Sequence, residues 1–352
     1  MADYRRQLAA YRIARRKYEA AAGAYWNAIA AKRRLRNAKR HSGKEIVIED
    51  YVLTQPPVYA GPPRPVDPSA PTAPPPRRPS VPVVADFLAA AAKQFNFVPQ
   101  QPPSEIDYKR AYAVVAAAAG LTREQAVRIY GFESGGGGKF DVQAGLEQPT
   151  PGAHAISTAL GYNQLLATNS VELLAEKGDR FLGLMRAKAA EQGGEARQAL
   201  EKRIAALKAM VAFSRSVPDD WNRHDRLAQT PKGLGIHALN LDLDVGPLLQ
   251  AQKLQDSVAF ARRMGYAAPL TAAELEMMNL TGDGNGIDMV MLPAAWREKV
   301  PTANFFQAGG YERNPVASRH NVVAKLLAAT DAVMDREIQL PGAKDMAALF
   351  AE

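Results

Sequence analysis

Cysteine is absent from the 352 residues of this chain. Disulfide bonds, cysteine-ligated zinc and thiol catalysis are therefore excluded. The chain also has no run of 18 apolar residues, so the sequence predicts no transmembrane helix. Its opening residues, Met1 to Arg6, lack the apolar core of a secretory signal peptide.

Several metal and nucleotide motifs are missing as well. The five histidines lack HExxH spacing, and the glycine run before Lys139 lacks the Gly-Lys-Ser/Thr ending of a phosphate-binding loop. Asp283–Asp288 alternates oxygen-bearing residues, but Ile287 and Ala294 stand where a calcium loop needs ligands. A turn rich in Asx interactions explains that segment without metal. We therefore expect neither a metal nor a cofactor.

Positive charge is concentrated at the N-terminal end. Residues 1–40 hold twelve Lys or Arg against Asp3 and Glu19, a local excess of +10 in a chain of formal net charge +8. The remaining 312 residues therefore sum to −2. The basic character belongs to one segment and not to the body of the protein.

This basic segment reads as one long helix with tyrosines at intervals of seven, Tyr4 to Tyr25. Such recurrence places the rings along one side of a helix. We interpret them as a packing stripe, against a partner or the protein's own body, with a solvated basic face opposite. The cluster over Lys32–Arg40 could instead hold phosphates of nucleic acid or anionic lipid. No recognised nucleic-acid-binding fold supports nucleic acid as the partner.

Composition suggests three regions. The stretch Pro56–Pro82 contains twelve prolines and favours extended polyproline II. From residue 84 onward the pattern is helical, without the strand–helix alternation of a doubly wound sheet. We predict a basic helical arm over 1–45, a proline-rich linker over 46–83 and a mainly α domain over 84–352. The arm and linker should extend the reach of the protein or bind a protein partner. The domain should fold without them.

One glutamate stands at the end of a predicted helix. Thr122 and Gln125 form a capping box, and Gly135 to Gly138 end the helix just after Glu133 and Ser134. The helix dipole and burial beside aromatic residues should both raise the pKa of the Glu133 carboxyl. A carboxyl kept protonated near neutral pH can protonate a glycosidic oxygen.

A second motif follows about 25 residues later, where the chain reads Ala-Leu-Gly161-Tyr162-Asn163-Gln164. Together, the Glu-Ser-Gly and Gly-x-x-Gln segments resemble the lysozyme-like lytic transglycosylases, whose second motif usually reads Gly-Leu-Met-Gln. The resemblance implies a lysozyme-like helical fold, Glu133 as the single catalytic acid and peptidoglycan glycan strands as substrate. It also implies a sugar cleft lined by Ser134 and the Gly161–Gln164 segment.

Two later segments are similar to other family motifs, but more loosely. Leu239–Gln250 is similar to the family's Asn-Ile-x-x-Gly-x-x-Tyr-Leu helix. Asn304–Gly309 is similar to its Ala-Ala-Tyr-Asn-Ala-Gly segment, with Phe306 in place of the tyrosine and Gln307 in place of the asparagine. Tyr311 could supply the missing hydroxyl. We expect these three side chains to form a wall of the cleft.

The number of carboxylates separates two mechanisms. An inverting hydrolase needs a second carboxylate as base, and Asp141, Asp242 and Asp244 are the candidates. The resembled transglycosylases use one glutamate, because a hydroxyl of the substrate attacks and an anhydro sugar forms. We favour the single acid, and leave hydrolase or transglycosylase open.

The predicted function is therefore cleavage of peptidoglycan, as a lytic transglycosylase or a muramidase, in the periplasm or cell wall. The export route stays open, since no signal peptide is visible. The alternative is a structural or adaptor protein that keeps a degenerate lysozyme-like fold and works through protein contacts.

Overall fold

The computed structural model describes residues 1–69, 81–139, 141–143, 155 and 157–350. Over these residues the chain is mainly α-helical, as predicted, and contains no regular β-strand. The α-helices are α1 Ala2–His41, α2 Val84–Phe95, α3 Glu105–Ala118, α4 Arg123–Ser134, α5 Ala167–Ala190, α6 Gly194–Ser214, α7 Trp221–Ala228, α8 Pro231–His237, α9 Gly246–Arg263, α10 Ala272–Thr281, α11 Asp283–Val290, α12 Ala294–Arg297, α13 Ala308–Glu312, α14 Pro315–Arg319, α15 Val323–Glu337 and α16 Pro341–Leu349. Short 3₁₀ helices cover Ile48–Asp50, Asp141–Gln143, Ala238–Leu241 and Thr302–Phe305.

The chain divides into two compact units. Unit 1 comprises Met1–Pro79 and Met277–Thr330, and unit 2 comprises Ser80–Glu276 and Asp331–Glu352. This division differs from the predicted boundaries at 45 and 83. The predicted arm and the described linker residues up to 69 belong to unit 1, together with a stretch from the distant C-terminal part of the sequence, and residues 81–83 belong to unit 2.

The arm contributes to the core of unit 1. Ile29 and Arg36 of α1 are buried, and so is Tyr51 just beyond it. Arg36 Nε donates to Asp288 Oδ2 at 2.8 Å, and its guanidinium lies 4.2 Å from the centre of the Tyr51 ring. Deleting residues 1–82 would leave Asp288 without these partners, so we revise the expectation that the remainder folds unaffected.

The tyrosines of α1 form a packing stripe, as the heptad spacing predicts. Tyr11 and Tyr18 lie edge-on to the Tyr59 ring, at 6.3 and 5.5 Å between ring centres. Tyr25 donates its hydroxyl to the Thr54 carbonyl at 3.0 Å. The part of the proline-rich stretch that the structure describes is thus laid along the protein's own first helix.

The prediction that the basic face of α1 is solvated is correct for only part of the helix. Within Lys32–Arg40, Arg33 donates to the carbonyls of Asn304 and Phe306, at 3.0 and 2.8 Å. Lys39 pairs with Asp50 and Arg40 with Asp288. Most cations of this cluster are therefore engaged inside unit 1, and Arg34 stays exposed.

Helix starts in unit 2 follow their local sequence. Thr122 and Gln125 form the predicted capping box of α4: the Gln125 N–H donates to Thr122 Oγ1 and the Thr122 N–H to Gln125 Oε1. Ser104 precedes the first residue of α3, also as predicted. The two long helices α5 and α6 pack closely at Gly178, where a Cβ atom would meet Val211.

Three local predictions change. The region Val316–Ile338 is not one helix but two, α14 and α15. Asp283–Asp288 is helical rather than a turn, because it opens α11. The hairpin expected around Phe140–Val142 is replaced at Asp141–Gln143 by a 3₁₀ turn, and Phe140 lies outside the described residues.

None of the described helices has the length and apolar character needed to cross a bilayer.

Candidate active site

The second sequence motif forms a tight turn in unit 2. Leu160 and Leu165 exchange two backbone hydrogen bonds of 2.9 Å, and the Gln164 N–H donates to the Gly161 carbonyl at 3.1 Å. Gly161 adopts φ +84° and Gln164 φ +46°. The Gln164 side-chain amide also donates to the Gly161 carbonyl, at 3.0 Å. The Gln164 side chain therefore stabilises the backbone of its own turn.

Gln250 of α9 holds this turn in place through hydrogen bonds. Its Oε1 accepts the Asn163 N–H at 2.8 Å, and its Nε2 donates to the Leu160 carbonyl at 3.1 Å. Asn163 answers by donating its side-chain amide to the Gln250 carbonyl at 2.8 Å. A Cβ at Gly161 would stand 2.1 Å from Gln250 Nε2, so only glycine leaves room for this arrangement.

A buried histidine continues the same network. His237 Nε2 lies 2.7 Å from the Thr158 carbonyl, which can only accept, so Nε2 carries the hydrogen. Nδ1 then accepts from Ser170 Oγ at 2.8 Å. Complete burial lowers the pKa of His237 to about 4, and the ring is neutral at physiological pH. Its role is to hold the start of the turn.

The turn presents Tyr162 to a carboxyl group that the sequence analysis did not single out. Tyr162 is fully buried, and its ring packs edge-on against Tyr108, Tyr112 and Tyr130 at 4.6 to 5.3 Å between centres. Its hydroxyl donates to Glu105 Oε1 at 2.6 Å. Glu105 is half-buried and is the first residue of α3. A tyrosine where the resembled family has leucine thus places a donor on a carboxylate.

The environment of Glu105 favours the protonated acid. Burial is the largest influence and raises the pKa of its carboxyl, and the negative charge of Asp141 raises it further. Hydrogen bonds from the Tyr162 hydroxyl and the Val142 backbone act in the opposite direction, as does the charge of Lys109. The net shift of the pKa is upward, which is the direction that suits a general acid.

Asp141 lies in a donor-rich pocket of the same cluster. It is buried and accepts hydrogen bonds from the Tyr130 hydroxyl and the Gly138 N–H. The buried Lys109 amine lies 3.9 Å from its Oδ2. The two neighbouring carboxyl groups therefore differ: two hydrogen-bond donors and the buried Lys109 amine lie beside Asp141, whereas burial outweighs the donors around Glu105. Such pairs divide the acid and the charge-stabilising roles in glycosidases.

A groove of about 350 Å³ opens over this cluster. Its walls combine apolar and hydrogen-bonding side chains, and Glu105 and Lys139 contribute the charged ones. It is lined by Gln101, Pro102, Pro103, Ser104, Glu105, Gly138, Lys139, Val142, Gln143 and Leu241. A mixture of apolar faces with amide and hydroxyl groups suits sugar rings, which present both.

Glu133 lies in the last turn of α4, as predicted, and is half-buried. Ser134 donates its hydroxyl to the carbonyl of Tyr130, four residues earlier in the same helix, at 2.6 Å. Two of the glycines that follow lie against Gly342 of α16. The Gly136 carbonyl accepts the Gly342 N–H at 2.8 Å, and a Cβ at Gly138 would stand 3.4 Å from Gly342. Positive φ, +53° at Gly136 and +86° at Gly138, accounts for glycine at these two positions.

Three predicted site residues lie in unit 1. Phe306 and Tyr311 are buried, with 5.9 Å between their ring centres, and Tyr311 also packs edge-on against Trp26 at 5.7 Å. Gln307 is exposed and precedes α13. The predicted wall of the cleft thus belongs to a different unit from the Gly161–Gln164 segment that was to form its floor.

The other two candidate second carboxylates serve structure. Asp242 is fully buried, and the side chain of Asp244 is 5% exposed. Asp242 Oδ2 accepts from Arg203 at 2.9 Å and from the Gln100 N–H at 2.8 Å, while Asp244 pairs with Arg203 and Lys188. Asp242 therefore forms an ion pair with α6, and Asp244 forms ion pairs with both α5 and α6. Asp141 is the candidate that the structure brings to the groove cluster.

Sequence reasoning missed Glu105 because an acidic residue directly after a serine cap is the commonest occupant of a helix start. One available signal was Tyr162, since a tyrosine at a core position needs a partner for its hydroxyl.

Comparison with protein-family models, with curated proteins and with solved structures gives no match.

Proposed function

We propose that unit 2 cleaves glycan strands of peptidoglycan, with Glu105 as the general acid. The observation that carries the proposal is the Glu105 carboxyl in the lining of the groove, which accepts the 2.6 Å hydrogen bond from Tyr162 and has a raised pKa. The choice of peptidoglycan rests on the resemblance of the Glu133-Ser134 and Gly161–Gln164 segments to lytic transglycosylases. Lys139 in the groove suits the carboxylates of muramic acid and its peptides.

The chemistry needs one proton and one nucleophile. Glu105 gives its proton to the glycosidic oxygen as the bond from C1 to that oxygen breaks. The positive charge that develops on the sugar is stabilised by the nearby charge of Asp141. A hydroxyl of the substrate or a water molecule then attacks C1 and returns a proton to Glu105. Substrate attack gives an anhydro product, and water attack gives a reducing end.

Digestion of purified peptidoglycan sacculi tests this proposal. We expect Glu105→Gln to reduce turnover by at least about 10², the low end for loss of acid catalysis. Asp107→Asn is the matched control, because Asp107 is another carboxylate in the first turn of α3 but bonds Ser104 and Arg110. It should retain full turnover. Product masses differing by one water distinguish the anhydro from the hydrolysed ends.

Glu133→Gln separates the two assignments of the acid. If Glu105 is the acid, Glu133→Gln keeps turnover within a few-fold. Turnover lost in Glu133→Gln and kept in Glu105→Gln would instead assign the acid to the residue that the family resemblance indicates. A wild-type protein inactive on every cell-wall substrate would favour the structural or adaptor function.

A further inference from the structure

The first half of α1 exposes a basic face. Helical spacing places Ala9, Ile13 and Ala20 along the centre of this face, and cations flank them on both sides. Ile13 is 63% exposed. The basic face consists of the exposed cations Arg5, Arg6, Arg12, Arg16 and Lys17.

The opposite side of the helix is already occupied. Tyr11 and Tyr18 pack on Tyr59, and a Cβ at Gly61 would stand 2.8 Å from Ala14. The orientation of α1 within unit 1 is therefore fixed, with the basic face turned to solvent. The tyrosines are engaged and cannot stack on nucleic-acid bases.

The charges of this face are largely uncompensated. The two acidic residues of the segment are each paired, Asp3 with Arg6 at 2.5 Å and Glu19 with Arg15 at 2.8 Å. Within the described part of the chain, Arg5, Arg12, Arg16 and Lys17 form no ion pair. This distinguishes them from Arg33, Arg36, Lys39 and Arg40 further along the helix, which have partners in unit 1.

We propose that the basic face binds the surface of a membrane that carries anionic phospholipids. Two rows of cations on a straight helix extend over about 18 Å, from Arg5 to Lys17, and match a flat layer of headgroup phosphates. Ile13 between the rows enters the boundary between headgroups and acyl chains. Lipid accounts for this central apolar strip better than nucleic acid does, since an exposed isoleucine gains nothing from a phosphate backbone.

Vesicle flotation with the full chain tests the proposal. Vesicles of phosphatidylcholine with phosphatidylglycerol should carry the protein at low salt, and pure phosphatidylcholine vesicles should not. Each cation contributes roughly a five-fold change in binding. The triple variant Arg5→Gln, Arg12→Gln, Arg16→Gln should therefore lose on the order of 10² in apparent affinity.

A charge-matched control excludes a nonspecific effect of net charge. Lys202→Gln, Lys208→Gln, Arg223→Gln removes three exposed cations of unit 2 and should bind the vesicles as the wild type does. Ile13→Gln should weaken binding while leaving its salt dependence intact. Equal binding by both triple variants would overturn the proposal. So would failure to bind anionic vesicles, or binding to duplex DNA that vesicles do not compete.

Discussion

Each of the two units buries charge, but in opposite ways. In unit 1, the fully buried Arg36 donates to Asp288, which also accepts from Arg40 and Tyr51. In unit 2, Glu105 is bonded by the neutral hydroxyl of Tyr162 and faces a groove. The first arrangement neutralises a charge, whereas in the second burial raises the pKa of a carboxyl despite the hydrogen bond that this carboxyl accepts.

This contrast separates a structural ion cluster from a candidate catalytic one. Opposite charges in contact stabilise each other's ionised forms and leave no proton to transfer. A carboxyl whose pKa is raised by burial, beside a second carboxylate in a donor-rich pocket, is the kind of group that can donate a proton to a substrate. The sequence shows acidic and basic residues in both places, and only the packing distinguishes them.

Breaking the cluster of unit 1 should have the largest effect on stability. Asp288→Asn leaves the buried Arg36 guanidinium without a counter-charge, which costs about 3–5 kcal/mol. Chemical denaturation would measure this as a fall in the free energy of unfolding. Asp3→Asn removes an exposed ion pair and serves as the control, with almost no change expected. Equal stability of the two variants would show that the buried pair is dispensable.

The histidine below the turn should make unit 2 sensitive to acid. His237 has a folded pKa of about 4 against an ordinary value of 6.5, so the unfolded chain takes up the proton first as pH falls. The free energy of unfolding should decrease by roughly 3 kcal/mol between pH 6.5 and 4. Denaturation curves across this range should lose that slope in His237→Gln and keep it in His41→Gln, whose histidine is exposed.

Gly161 and Gly120 offer a matched pair of glycine substitutions. Both have positive φ, +84° and +81°, but nothing lies within 4 Å of a Cβ at Gly120. Gly120→Ala should cost only the left-handed backbone penalty of about 1–2 kcal/mol. Gly161→Ala also displaces Gln250, and should cost about 1–3 kcal/mol more through lost buried hydrogen bonds. Equal costs in thermal denaturation would mean that Gln250 does not fasten the turn.

Removing the Tyr162 hydroxyl should have the smallest effect. That hydroxyl lowers the pKa of Glu105, so Tyr162→Phe should raise it further. The alkaline limb of the pH–rate profile on peptidoglycan should then move to higher pH. Tyr108→Phe removes a hydroxyl that bonds the Asn240 carbonyl instead and should leave the limb in place. A shift of the alkaline limb in both variants, or in neither, would show that the limb does not depend on the Tyr162–Glu105 hydrogen bond.

Local signals in the sequence predicted local structure well. The capping box at Thr122, the serine before α3 and the heptad of tyrosines each depend on residues within one or two helical turns. They correctly indicated where α3 and α4 begin and which side of α1 packs. Such features need no knowledge of the rest of the chain.

Long-range partners could not be predicted in the same way. Arg36 and Asp288 lie 252 positions apart, and nothing near Arg36 distinguishes it from the exposed Arg34. Glu105 resembles any acidic residue at a helix start until Tyr162, 57 positions later, packs over it. The basic cluster was therefore predicted to be solvated, and the groove carboxyl was overlooked.

The most direct test is a ¹³C NMR titration of the Glu105 carboxyl, compared with the pH dependence of glycan cleavage by the same protein. We expect Glu105 to titrate above the ordinary glutamate range and cleavage to fall as pH rises through that same value. A Glu105 that titrates in the ordinary range, or a rate profile that does not follow its titration, would contradict its assignment as the general acid.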